Sequence, residues 1–161
     1  MSGRESELVR RMTAAGLTVA TAESLTAGML ASRIADVPGA SAVLRGGLVV
    51  YATELKHVLA GVPLAVLERH GAVSAETARA LAEGARSRCG ADVGVGLTGV
   101  AGPDPQEGHP AGTVFVGLAG PGDHAEVAAL ALSGGRAEIR AATCDAAVDR
   151  VLRALGNESG T

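Results

Sequence analysis

Apolar positions fall at two periods along this chain, and the alternation between them outlines the fold. Over residues 5–15 (ESELVRRMTAA), Leu8, Val9 and Met12 recur at helical spacing, with Gly16 placed to stop the helix. Residues 17–21 (LTVAT) are short and β-branched, which predicts a strand. Ala22, Glu23 and Ser24 then read as a turn into a helix reaching Ala35, with Leu25, Met29, Leu30 and Ile34 apolar. Residues 42–51 (AVLRGGLVVY) predict a strand bent or bulged at Gly46–Gly47. Short helices follow over 52–60 and 63–71, and a longer Ala-rich one over 74–88 carries Ala78, Leu81, Ala82 and Ala85 on one face. Residues 92–97 predict a strand, 98–112 a long Gly/Pro loop, and 113–119 with 126–132 a hairpin. A last helix spans 136–155, and Gly156 onward is expected to fray.

Strands alternate with helices until the hairpin. This predicts an α/β sandwich, with helices on both faces of a mixed, mostly parallel sheet that has an antiparallel edge. The 161 residues make a single domain, with its core over about residues 5–155. Ligands of such sheets gather where strands end and loops begin.

Composition narrows the function. There is no Trp, one Tyr and one Phe, against 23 Gly, so small aliphatic residues must fill the core. The net charge of −3 and the 1% aromatic content argue against a nucleic-acid partner, which needs basic surface or stacking platforms. Cys89 and Cys144 make no disulfide framework and read as ordinary thiols in a reducing compartment. The charged start of the chain has no apolar signal region, and no apolar run is long enough to span a bilayer. The expected location is the cytoplasm, away from membranes.

Several motifs fail. Gly94-x-Gly96-x-x-Gly99 has dinucleotide spacing, but two of its glycines lie inside a strand and a Pro-containing loop follows instead of a helix. No lysine follows a glycine, so there is no phosphate-binding P-loop. The histidines at 57, 70, 109 and 124 are scattered without an i,i+4 pair, and no metal site is expected.

One constellation survives. Lys56 is the only lysine among 14 basic residues, the rest being arginine. A lysine does what arginine cannot when it sheds its proton, and a neutral amine can act as a base toward a serine. The competing reading is an incidental surface lysine. Ser24, between strand and helix, is either a helix cap or a nucleophile. Thr53-x-x-Lys56 is an internal rival with a more hindered hydroxyl. Tyr51, five residues before Lys56, is either a boundary tyrosine or a proton relay. The loop from Thr98 and Gly99 can offer backbone N–H groups to an anion, or be a plain turn. Arg136 and Arg140, one helical turn apart, are a candidate phosphate pair or a solvated face.

Six stretches in order resemble one known family. They are Thr21-Ala-Glu-Ser-Leu-Thr26, Asp36-Val-Pro-Gly-Ala-Ser41, Arg45-Gly-Gly, Tyr51-Ala-Thr-Glu-Leu-Lys56, His70-Gly-Ala-Val-Ser74 and Leu97-Thr-Gly-Val-Ala-Gly-Pro-Asp104. Together they are similar to the CinA C-terminal domain, and to its stand-alone, PncC-type nicotinamide-nucleotide amidases. The resemblance implies a three-layer α/β/α sandwich and a Ser/Lys amidohydrolase. Its reaction would convert nicotinamide mononucleotide to nicotinate mononucleotide and ammonia without a cofactor. Carried over by motif, Ser24 is the nucleophile and Lys56 the base, with Tyr51 and Thr98 in the same catalytic group. Motif position adds Glu23, Arg45 and Gly99 to the substrate site, beside Arg136 and Arg140. Two positions depart from the family pattern: Gly135 stands where an acid is frequent, and Phe115 where a tyrosine is common. The expected partners are a small pyridine nucleotide and further copies of the chain. The rival expectation is a non-catalytic nucleotide- or partner-binding domain linked to competence or DNA damage, which would have no need of Ser24 and Lys56 together.

Overall fold

The computed structural model describes residues 3–157. In chain order the elements are α1 (Gly3–Ala15), β1 (Val19–Glu23), α2 (Met29–Ala35), a 3-10 turn (Ala40–Ala42), β2 (Leu44–Val49), α3 (Thr53–Val58), α4 (Leu64–His70), α5 (Ala75–Cys89), β3 (Val93–Gly99), β4 (Thr113–Ala119), β5 (Ala125–Ala131) and α6 (Arg136–Asn157). The five strands form one mixed sheet in the order β2-β1-β3-β4-β5. β1 pairs in parallel with β2 and β3, and the β3–β4 and β4–β5 pairs are antiparallel. Helices cover both faces, giving the α/β sandwich that the pattern predicts.

The two faces are built differently. On one, Val19, Val93, Val95, Leu97, Val114, Val116 and Leu118 meet Leu8 and Met12 of α1, Leu30 and Ile34 of α2, and Ile139, Val148 and Val151 of α6. Each such aliphatic side chain contributes about 1.5–3 kcal/mol of burial. On the other face, α5 lies almost on the sheet backbone. A Cβ on Gly94 would stand 1.9 Å from the Ala82 carbonyl, and one on Gly96 or Gly117 would stand 2.4 or 2.2 Å from that of Ala78. From Val93 to Leu97 the alternate positions of β3 are therefore valine or leucine toward α1 and α6, and glycine toward α5. This use explains the rejected dinucleotide spacing and the glycine-rich, aromatic-poor composition.

Several boundaries differ from the sequence pattern: β1 runs on through Ala22 and Glu23, expected in a turn, and β3 through Thr98 and Gly99, expected in a loop. α2 begins at Met29, not at Ser24, because Ala27 and Gly28 take positive φ (49° and 93°) and residues 24–28 form a turn. The bulge of β2 lies at Arg45, where the register passes from Val19↔Leu44 to Ala20↔Gly46. α6 continues to Asn157, so the frayed end predicted from Gly156 is helical at first, and residues 158–161 lie outside the described residues. No described helix is long and apolar enough to cross a membrane.

Candidate active site

The chain leaves β1 toward β2 on one side and leaves β3 toward β4 on the other. Loops that part in this way open a crevice at the carboxyl ends of the strands. A cleft of about 350 Å³ lies there, lined by Ser24, Tyr51, Thr53, Lys56, the 98–106 segment and Arg136. That volume lies within the roughly 300–1,000 Å³ of small-molecule sites.

Ser24 follows β1 directly. Its N–H donates to Leu97 O at 2.9 Å, which extends the β1–β3 pairing by one residue and fixes the side chain at the cleft floor. Lys56 projects from α3, only 1% exposed. Its Nζ lies 2.9 Å from Ser24 Oγ, 2.8 Å from Val50 O and 3.2 Å from Tyr51 O. Burial pushes the amine down from 10.5 to about 8, while the charges of Glu107 and Glu54 act to raise it. The three contacts define what the neutral amine does. Two carbonyls can only accept, so they take its two N–H groups. Its lone pair is then left for the Ser24 O–H. Such an arrangement is chemically able to serve as a general base on a hydroxyl nucleophile.

The cleft mouth is bridged by Arg136, which donates to Tyr51 Oη at 2.8 Å and to Gly102 O at 2.6 Å. Thr98, buried on the wall, donates its hydroxyl to Ala72 O at 2.6 Å. Glu107 accepts from the N–H groups of Ala72 (2.7 Å) and Val73 (3.1 Å), tying the 101–112 loop to the segment before α5.

With this geometry in place, the comparisons decide the family. Residues 2–155 match the family model described as the CinA C-terminal domain. The chain belongs to that family. A CinA-like protein of Frankia casuarinae is 52% identical over 138 residues, covering 86% of this chain and 32% of the relative. A competence-damage inducible protein of Geobacillus sp. (strain WCH70) is 49% identical over 138 residues, covering 86% and 33%. The chain thus spans about a third of the length of these curated relatives. Among solved structures, the competence/damage inducible protein CihA of Agrobacterium tumefaciens is 35% identical. It covers 97% of this chain and 98% of its own, at a TM-score of 0.88. A CinA superfamily protein of Klebsiella pneumoniae 700603 is 28% identical, with 96% of each chain covered and a TM-score of 0.92.

In this CinA domain the sequence-predicted residues separate into two groups. Ser24, Lys56, Tyr51, Thr98, Gly99 and Arg136 share the cleft. Thr53 also lines it, but Lys56 Nζ is bonded to Ser24. Tyr51 meets Lys56 through its main-chain carbonyl, while its phenol bonds Arg136.

Glu23, Arg45 and Arg140 are not among the residues lining the cleft. Glu23 is fully buried beneath α2 and accepts from Thr21 Oγ1, Thr26 Oγ1, Leu30 N and Ala31 N at 2.6–3.0 Å. It caps the helix that Ser24 was a candidate to cap. Arg45 lies on the exposed bulge of β2 and donates to Cys89 O, near the end of α5, at 3.1 Å. Arg140 turns away from Arg136 and donates to Leu25 O at 2.8 Å and Thr26 O at 3.2 Å. The sequence reading missed Glu107, whose position in a Gly/Pro loop carries no periodic signal.

Proposed function

We propose that this CinA domain hydrolyses the carboxamide of nicotinamide mononucleotide, releasing ammonia and nicotinate mononucleotide. The observation that carries the reading is the buried Lys56 amine 2.9 Å from Ser24 Oγ at the floor of a ligand-sized cleft. A binding module has no use for a buried lysine with a lowered proton affinity set against a hydroxyl. The substrate rests on the resemblance of the six motifs to nicotinamide-nucleotide amidases. A pyridinium ring also suits the site, because its positive charge opposes protonation of the adjacent amine.

The steps follow from the geometry. Lys56 takes the Ser24 hydroxyl proton as Oγ attacks the carboxamide carbon, and the carbonyl π pair moves onto oxygen. Backbone donors hold that oxyanion, each contributing about 3 kcal/mol. Collapse breaks the C–N bond, and the nitrogen leaves as ammonia with the proton from Lys56. Water, deprotonated by the same amine, then cleaves the acyl-serine. This yields the carboxylic acid and restores Ser24. Arg136, on the rim, offers its guanidinium to the ribose phosphate. Thr98 and Gly99 shape the wall, with the Thr98 hydroxyl engaged by Ala72.

The test is ammonia release from nicotinamide mononucleotide by the parent, Ser24→Ala and Lys56→Arg. Turnover in the parent alone is the expected result. An inert parent that still binds the nucleotide would replace this reading with a binding domain, and a Lys56→Arg variant with full turnover would remove Lys56 as the base.

A further inference from the structure

The turn after Ser24 is held at three successive carbonyls. Ser24 O accepts from Ala27 N at 3.1 Å, Leu25 O from Arg140 Nε at 2.8 Å, and Thr26 O from Arg140 at 3.2 Å and from Met29 N at 2.9 Å. Arg140 comes from α6, 115 residues from Leu25 in sequence. A planar trans peptide points its N–H opposite to its own C=O. The Ala27 N–H on Ser24 O therefore fixes the direction of the Leu25 N–H, and Arg140 on Leu25 O and Thr26 O fixes the two peptides that follow, including the Ala27 N–H itself. Among the described residues no protein group accepts from the N–H of Leu25 or of Thr26. Leu25 lines the cleft, immediately after the nucleophile.

We infer that the Leu25 N–H is an oxyanion donor for the Ser24 reaction and that Arg140 is the positioning residue that fixes the turn holding it. Arg140 is not itself among the residues lining the cleft. It acts through the backbone, and its guanidinium fork can hold two carbonyls at once where a lysine ammonium gives a single point charge. The inference rests on Ser24 as nucleophile, as the proposed function has it. It differs from the phosphate role expected for Arg140 from its spacing with Arg136.

The test compares the parent, Arg140→Gln, Arg140→Lys and Arg136→Met. With nicotinamide mononucleotide as substrate, Arg140→Gln is expected to lower kcat by about 10- to 100-fold with KM nearly unchanged, because only the transition state uses the donor. Arg140→Lys should recover part of the loss, and Arg136→Met should act on KM. A second readout does not depend on the natural substrate. Ser24 is phosphonylated by a fluorophosphonate, and intact mass gives the rate. Oγ forms the P–O bond, fluoride leaves, and Lys56 keeps the proton. The Arg140→Gln variant should label about 10-fold more slowly than the parent while melting cooperatively. An active parent with an unchanged Arg140→Gln kcat would overturn the inference and leave the proposed function standing. A parent inert toward the nucleotide, with labelling still slowed in Arg140→Gln, would overturn the substrate and uphold the inference. Equal labelling rates, or no labelling of Ser24 in the parent, would overturn the inference.

Discussion

Lys56 Nζ meets Ser24 Oγ at 2.9 Å across 32 residues of sequence, because β1 and β2 lie side by side in parallel and α3 starts just beyond the end of β2. In the proposed reaction the amine must be neutral to accept the hydroxyl proton, and burial lowers its pKa to about 8. We predict that kcat/KM for nicotinamide mononucleotide rises with pH through about 8 and levels above it. Glu107→Gln removes a charge that holds the amine up, so the same rise should move to lower pH. A profile flat from about pH 6 to about pH 9 would contradict a titrating base.

The same shift predicts a stability slope. Between pH 8 and 10.5 the folded chain has released a proton that the unfolded chain still binds at Lys56, so stability rises with pH across that window. Below about 8 both states are protonated and the full penalty of burying the ammonium applies. Lys56→Met carries no such proton. The parent should therefore gain on this variant by about 3 kcal/mol between neutral pH and pH 10.5. Urea unfolding of both proteins at several pH values measures the difference, in which the titrations they share cancel. A constant difference would mean that Lys56 keeps the same pKa in the folded and the unfolded chain.

How far the sequence reveals this molecule depends on the range of the interactions. The amphipathic helices and the β4–β5 hairpin are local, and their periodicity shows directly in the chain. The lone lysine also marks itself by composition. The turn at 24–28 does not, because positive φ at Ala27 has no glycine or asparagine signature. Its stability comes from Glu23 on one side and Arg140 on the other. Arg136 and Arg140 look alike as an i,i+4 pair, yet one guanidinium closes the cleft mouth and the other clamps the turn after Ser24. Only the packing of α6 across the β1 loop distinguishes them. Glu23 and Arg45 sit in strong motifs, yet neither lines the cleft, and their bonds run to the turn before α2 and to the end of α5.

The glycines facing α5 give a sharp contrast. Gly94→Ala would place a Cβ 1.9 Å from the Ala82 carbonyl, which cannot yield without lifting the helix. The expected cost is about 3 kcal/mol or more. Gly46→Ala would meet only Cys89 Sγ at 3.6 Å, an ordinary contact, and should stay within about 0.5 kcal/mol of the parent. Urea midpoints of the two variants decide it. Equal stability would mean that α5 does not ride on the strand backbone.

Glu23→Gln tests whether this buried acid serves the fold or the substrate. Oε1 accepts from Thr26 Oγ1 and Leu30 N, and Oε2 from Thr21 Oγ1 and Ala31 N. A glutamine amide nitrogen in either place would face a backbone N–H, donor against donor. The loss should be about 3 kcal/mol, seen as a lower urea midpoint. KM for nicotinamide mononucleotide should stay within about twofold, because no cleft wall is made by Glu23. The reverse pattern, parent-like stability with a raised KM, would return Glu23 to the substrate site. It would also require the turn at Ser24 to open enough for the ligand to reach a carboxylate that is now wholly enclosed.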